Sequence, residues 1–384
     1  MSAGVTAAAG FRAAGVAAGL KSDDALDVSV IINDGPQYSA AGVFTPNRFA
    51  AAPVLWSKQV LTTGQLRAVV LNSGGANACT GPAGFADTHH TAEYAADQLD
   101  IGAIDVAVCS TGLIGEPLNM SQLLPGVELA VAQLTGEGGA AAAEAIMTTD
   151  TRPKTSSVTR DFTVGGMAKG AGMLAPGMAT MLSVITTDAA VDPVTLQTAL
   201  TTVNSRTFNR VDSDGCMSTN DTVLLLASGA SGVTASEADL VEPLTEVCTA
   251  LSRQLVADAE GASKEICVEV RAAVTESDAE TVARSVARSN LFKCAMFGED
   301  PNWGRILSAV GTTDCAFSPD QVDVAINDVW ICRSGGVGED RSRVDLSGRD
   351  VHVVIDLGAG SKGAQIWTND LTHDYVHENS AYST

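Results

Sequence analysis

Aromatic residues make up only 4% of this 384-residue chain, histidine occurs five times, and no run of about 20 apolar residues is present. Without such a run, no transmembrane helix is expected. With few rings available, the core must be built from small and aliphatic side chains, and 37 glycines imply many tight turns and close backbone approaches. Basic residues are also scarce: 23 Lys and Arg stand against 45 Asp and Glu, a formal charge of −22. That charge repels phosphate backbones and anionic membrane surfaces, so neither nucleic acid nor membrane is the expected partner. The eight cysteines stand singly, with no Cys-x-x-Cys and no nearby His pair. No metal site or redox motif is indicated, and buried, reduced thiols of a cytoplasmic protein are expected. The small, apolar N-terminus lacks a basic region and is interrupted by Arg12, so no secretory signal is expected.

With 45% hydrophobic and 18% charged residues, the composition is that of a globular protein, and the length suits two or three domains. Up to about residue 110, β-rich runs alternate with turn residues: Asp27 to Ile32, Ala40 to Thr45, Ala68 to Leu71, and Ile104 to Cys109. Helices are predicted from about His89 to Leu99 and from Met120 to Leu134. Asp192-Pro193 predicts a helix start, a capping carboxylate followed by proline at the first helical position. From Ser236 the spacing Leu240, Leu244, Val247, Leu251, Leu255 forms one helical face, opened by Ser236 with Asp239 three residues on. A further helix capped by Ser277 with Glu280 is predicted. Alternating runs Ile266-Val268-Val270, Val322-Val324-Ile326 and Val351-Val353-Ile355 then read as half-buried strands. The expectation is an α/β core over residues 1–234 and a smaller α+β unit over residues 235–384.

Three motif lookalikes carry no chemistry. Gly170-Ala171-Gly172-Met173-Leu174-Ala175 matches G-x-G-x-x-A, but Pro176-Gly177 falls where a phosphate-binding helix would have to run. In Asp212-Ser213-Asp214-Gly215 the glycine comes too early for a calcium loop. Gly74-Gly75-Ala76-Asn77 lacks the Gly-Lys-Thr/Ser of a P-loop. The informative stretch is Lys169 to Ala189, KGAGMLAPGMATMLSVITTDA, where a Gly/Pro-rich loop runs straight into a strand-like segment. Thr180 stands at that junction, where a nucleophile can be exposed yet held by a rigid element. A threonine opening a strand is equally just a good β-former, and spacing alone goes no further.

This run resembles the self-cleaving centre of the ornithine acetyltransferase/glutamate N-acetyltransferase family. Other segments agree: Asn72 to Gly81 (NSGGANACTG), Ser110 to Gly115 (STGLIG), Ala145 to Thr151 (AIMTTDT), Ser218 to Thr222 (STNDT), Asp300 to Arg305 (DPNWGR), and the terminal Asn379 to Thr384 (NSAYST). The matches are ordered and dispersed from near residue 40 to the end of the chain.

The resemblance implies a layered αββα core of mixed sheets, with the smaller C-terminal unit. It implies a cut between Ala179 and Thr180, giving chains 1–179 and 180–384 that stay associated as an α2β2 heterotetramer. Thr180 would then be the nucleophile and its freed α-amine, with pKa near 8, the base. No histidine is required, which suits a chain with five. The resemblance assigns Thr111 and Gly112 to the oxyanion hole, and Thr148, Lys169, Thr180, Glu260, Asn379 and Thr384 to substrate binding, with the C-terminal tail folding back over the site. Lys169 could pair with an amino-acid carboxylate and Glu260 with a cationic amine. The implied reaction is ping-pong transfer of acetyl from N-acetylornithine to glutamate in arginine biosynthesis, in the cytoplasm and with no cofactor; acetyl-coenzyme A is a second donor in some members. Two other readings stay open: an N-terminal-nucleophile aminopeptidase or amidase, in which water takes the acyl group, and a non-catalytic amino-acid-binding protein.

Overall fold

The computed structural model describes residues 3–22, 24–175 and 181–381. The expected cleavage pair Ala179 and Thr180, and the terminal Thr384, lie outside the described residues. In chain order the first half contains β1 (Phe11–Val16), β2 (Val28–Asn33), β3 (Ser39–Phe44), α1 (Ala52–Val60), β4 (Ala68–Asn72), α2 (Gly81–Leu99) and β5 (Val106–Ser110). Then come α3 (Met120–Ala132), α4 (Gly139–Ala145), β6 (Lys154–Thr159), β7 (Thr163–Lys169), β8 (Leu182–Thr187), α5 (Pro193–Arg206), β9 (Thr222–Ala227) and α6 (Glu237–Ala257).

Strands β2, β4, β5, β8 and β9 are buried at every position. Continuous apolar burial, rather than alternation, requires cover on both faces of a sheet. The structure supplies it with four layers. A sheet of order β1-β2-β4-β5 carries α2 and α3 on its outside, and a sheet of order β3-β9-β8-β7-β6 carries α5 and α6. Between the sheets Ile31, Val69, Met167, Val184, Leu224 and Leu226 join one core, while Val164, Ile185, Val223 and Leu225 face α5 and α6. Both sheets are mixed: β4 runs parallel to β5 and β8 parallel to β9, with the other pairs antiparallel. This is the expected αββα arrangement.

The remainder comprises β10 (Glu265–Ala273), α7 (Glu276–Ala287), α8 (Asn290–Phe297), α9 (Trp303–Val310), β11 (Asp323–Ile326), β12 (Val329–Arg333), β13 (Gly336–Val337), β14 (Asp350–Asp356), β15 (Lys362–Asn369) and α10 (His373–Ala381). Its sheet, of order β13-β12-β11-β14-β10-β15, has its own core in which Ile266, Val268 and Val270 meet Val282, Val286 and Phe292 of α7 and α8. Helix α6 lies C-terminal to the expected boundary at residue 234, yet its Leu240, Leu244, Val247, Leu251 and Leu255 belong to the core under the five-stranded sheet. The change of core therefore falls between Ala257 and Glu265.

Local signals worked where a side chain closes a helix end. Asp192 accepts from the amides of Val194 (3.0 Å) and Thr195 (3.1 Å), and Ser236 with Asp239 forms a complete capping box. The cap expected at Ser277 is instead Thr275, whose hydroxyl accepts from the Asp278 amide at 3.0 Å. Glu280 is drawn away from capping by Arg284 and Arg210. Helix α2 begins eight residues before His89, at the Gly81-Pro82 step. All eight cysteines are free, but only Cys109, Cys248, Cys267 and Cys332 are buried; Cys79, Cys216 and Cys294 are exposed. No helix among the described residues is long and apolar enough to cross a membrane.

Candidate active site

The ends of three central strands meet at one place. Lys169, the last residue of β7, pairs with Leu182 at the start of β8, and Leu182 pairs with Thr222 at the start of β9. Beside them Thr111 and Gly112 leave the end of β5, where the Thr111 amide donates to Asn72 O at 3.0 Å. A cavity of about 80 Å³ opens there, and Thr111, Gly112, Thr148, Lys169, Glu260 and Asn379 all line it. Six of the residues expected at the site, drawn from positions 111 to 379, are thus brought together. Thr180 lies outside the described residues, but its neighbour Met181 is anchored here: the Met181 amide donates to Asp221 Oδ1 at 3.1 Å.

Gly112 is required on two counts. Its φ of +129° is a conformation L-residues avoid, and a Cβ would stand 2.9 Å from the backbone N and Cα of Gly75. The loop is stitched to that neighbour by the Gly75 amide, which donates to Thr111 O at 3.0 Å. Asn220, a buried residue of the cavity lining, holds the other wall by donating Nδ2 to Ala76 O (2.6 Å) and Ser110 O (2.8 Å).

Helix α10 brings the C-terminal segment back to the site. Asn379 Nδ2 donates to Glu260 Oε2 at 3.0 Å, and Thr149 Oγ1 donates to Glu260 Oε1 at 2.6 Å. Glu260 is further placed by its own amide, which donates to Ala171 O at 3.0 Å.

Under the cavity lies a buried charge network that sequence reasoning did not identify. Lys154, with no solvent exposure, donates Nζ to Asp150 Oδ1 (2.6 Å) and Asp258 Oδ2 (2.5 Å). Asp150 also accepts from the amides of Gly170 (2.6 Å) and Thr148 (3.0 Å), and Asp258 accepts from the amide (3.0 Å) and hydroxyl of Thr151. One lysine so ties together the segments carrying Thr148, Lys169 and Glu260. Burial pushes the Asp150 carboxyl up, but Lys169, Lys154 and the Gly170 amide outweigh it and hold the group below its ordinary value. Lys169 is 1% exposed, and burial pushes its ammonium below the ordinary lysine value against the pull of Asp150. Burial likewise drives the Asp221 carboxyl well above its ordinary range.

The only sequence signal for these groups was membership of quoted runs: Asp150 sits in AIMTTDT, and Asn220 and Asp221 in STNDT. Lys154 had none, since a lone lysine normally reads as a solvated charge. Removing it leaves Asp258 without its lysine and Asp150 with only Lys169, 4.0 Å away. Lys154→Met is expected to cost about 3–5 kcal/mol of stability, read as a lower denaturant midpoint; an unchanged midpoint would show the network contributes nothing. Of the lookalikes, Gly172 and Met173 form cavity wall, and Asp212 is engaged by Arg288 (2.8 Å) and Arg284 (3.3 Å). Among the described residues no three His, Cys, Asp or Glu side chains are grouped to hold a metal ion.

In a comparison against known families, the model described as the ArgJ family matches residues 12–384. The chain belongs to the ArgJ family. Proteins named arginine biosynthesis bifunctional protein ArgJ from Streptomyces coelicolor and Thermobifida fusca are 65% and 61% identical to it over 381 residues, covering 99% of this chain and all of theirs. The ArgJ of Mycobacterium tuberculosis is 56% identical over 390 residues, covering 99% of this chain and 96% of its own. A crystal structure of ornithine acetyltransferase complexed with ornithine, from the same organism, is 61% identical and covers 47% of this chain and 98% of that one, with a TM-score of 0.45.

Proposed function

We propose that this protein is a self-cleaving acetyltransferase of arginine biosynthesis, moving acetyl from N2-acetylornithine to glutamate through an ester on Thr180. The observation that supports it most directly is the convergence of Thr111, Gly112, Thr148, Lys169, Glu260 and Asn379 on one cavity beside Met181.

Maturation cuts Ala179 from Thr180 and frees the Thr180 α-amine. That amine takes the hydroxyl proton as Oγ attacks the acetyl carbonyl, then passes it to the departing ornithine nitrogen as the C–N bond breaks. The Thr111 hydroxyl and Gly112 N–H face the oxygen that gains charge. In the second half the glutamate amine attacks the ester, its C–O bond breaks, and Thr180 recovers its proton. Lys169 offers a cation to a substrate carboxylate, while Glu260, steadied by Thr149 and Asn379, offers an anion to the ornithine side-chain amine. Thr384 completes the substrate contacts. The matured chains, 1–179 and 180–384, work in the cytoplasm as an α2β2 heterotetramer without a cofactor. Acetyl-coenzyme A as a second donor is supported by the bifunctional names of the relatives.

Supplying N-acetylornithine and glutamate should give N-acetylglutamate and ornithine in equal amounts. Free acetate in place of N-acetylglutamate would mean that water takes the acetyl group, and the enzyme would be an amidase.

The role of Glu260 has its own check. A Cβ on Gly172 would stand 2.6 Å from both Glu260 carboxylate oxygens while leaving the backbone unstrained. Gly172→Ala is expected to displace Glu260 from Thr149 and Asn379 and to raise KM for N-acetylornithine about tenfold, the scale of one charged hydrogen bond. An unchanged KM would remove Glu260 from the amine site.

A further inference from the structure

A threonine hydroxyl has one proton to give and two lone pairs, whereas a lysine ammonium has three protons and accepts nothing. Lys169 Nζ lies 3.2 Å from Thr111 Oγ1 and 2.6 Å from Thr148 Oγ1, so it is the donor in both bonds. Each hydroxyl, already accepting from a cation, keeps its own proton for another partner, and among the described residues neither donates it to protein. Both side chains line the cavity. A hydroxyl that accepts from a cation is the stronger donor for it. Were Lys169 neutral, its nitrogen could accept from Thr111 instead, and the hydroxyl would turn away from the cavity.

The arrangement therefore depends on a charge held where there is almost no water. Asp150 Oδ2 stands 4.0 Å from Lys169 Nζ and is itself fixed by the Thr148 amide; Oδ1 is fixed by Gly170 N–H and Lys154. The other charged groups facing Lys169 are Lys154, which opposes its charge, and Glu260 and Asp221, which favour it. Among the described residues Asp150 is the anion in ion-pair contact with Lys169, and it holds both the strand end that carries Lys169 and the backbone that carries Thr148.

We propose that Asp150 is a positioning residue of the oxyanion site: by keeping Lys169 cationic against Thr111 and Thr148, it commits the Thr111 hydroxyl to donate to the oxygen that gains charge during acyl transfer. This rests on the acetyltransferase reading above. Burial lowers the Lys169 proton affinity and Asp150 raises it, so loss of Asp150 favours the neutral form.

The test is the pH profile of acetyl-enzyme formation, by mass spectrometry, from 4-nitrophenyl acetate, a donor with no titrating group. Matured wild-type enzyme should lose rate on the alkaline side before pH 10.5, the ordinary lysine value. In Asp150→Asn that fall should move to lower pH. In Lys154→Gln, which removes a repelling cation, it should move the opposite way, and Asp150→Glu should restore the wild-type profile. A merely structural role lowers rates without moving the limb, and that result would overturn the proposal. Should the variants fail to fold, wild type alone decides, because a rate undiminished through pH 10.5 also overturns it. Absence of acetyl-enzyme in wild type at every pH would overturn the acetyltransferase reading together with this inference; unmoved limbs in an active enzyme overturn the inference alone.

Discussion

Thr180→Ala is expected to leave the protein as a single 39.3 kDa polypeptide and to abolish acetyl transfer. Both losses follow from one atom. In the proposed mechanism the side-chain oxygen of Thr180 both opens the bond after Ala179 and later carries the acetyl group, and alanine has no replacement for it. Loss of a nucleophile that acts as a unit with its base costs on the order of a thousandfold or more. Thr180→Ser keeps a hydroxyl and should retain both cleavage and transfer at reduced rate. A denaturing gel and an N-acetylglutamate assay on the two variants read the outcome. An alanine variant that still splits, or that still transfers acetyl, would put the nucleophile elsewhere.

Gly112→Ala is expected to lower kcat about a hundredfold to a thousandfold with little change in KM, the cost of losing one oxyanion donor. The backbone at φ +129° and the 2.9 Å approach to Gly75 leave no place for a methyl group, so the loop must move. Gly75 cannot yield easily, because its amide is bonded to Thr111 O at 3.0 Å. The displaced segment carries the Gly112 N–H and the Thr111 hydroxyl together. Strain of about 1–3 kcal/mol at this one residue is small beside the stability of a chain with three hydrophobic cores of this size, so the variant should fold. Steady-state kinetics on folded Gly112→Ala with unchanged kcat would remove this loop from the oxyanion site.

Elements defined by their own chemistry were legible in the sequence. Asp192 and Ser236 each bond amides within three residues, so the signal and the structure share one short segment. Elements defined by distant contacts were not. Strand β1, Phe11–Val16, is rich in Ala and Gly and reads as no strand by composition, yet it pairs with β2 along its whole length. Its small residues answer to packing: a Cβ on Gly15 would stand 2.0 Å from Ala141 O of α4, so only glycine admits that approach.

The same division runs through the site. The Thr111-Gly112 and Lys169 segments stood out because they belong to distinctive local runs. The network beneath them joins Asp150, Lys154 and Asp258, separated by up to 108 residues, and nothing in those single letters shows that they are buried together. Lys154 read as an ordinary surface charge, but its position inside the fold makes it the cation that two buried carboxylates require. Topology supplies that meeting: Lys154 opens β6 beside Ala168 near the end of β7, and its ammonium reaches Asp258, the first residue after α6.

In the proposed reaction the acetyl group passes through Thr180. Mixing the matured enzyme with N-acetylornithine in the absence of glutamate, quenching in acid and weighing the two chains by mass spectrometry tests it directly. One added acetyl group is expected on the chain that begins with Thr180, mapped to that residue and discharged when glutamate is added. An unmodified 180–384 chain alongside continued formation of N-acetylglutamate, or an acetyl group on any other residue that glutamate removes, would contradict it.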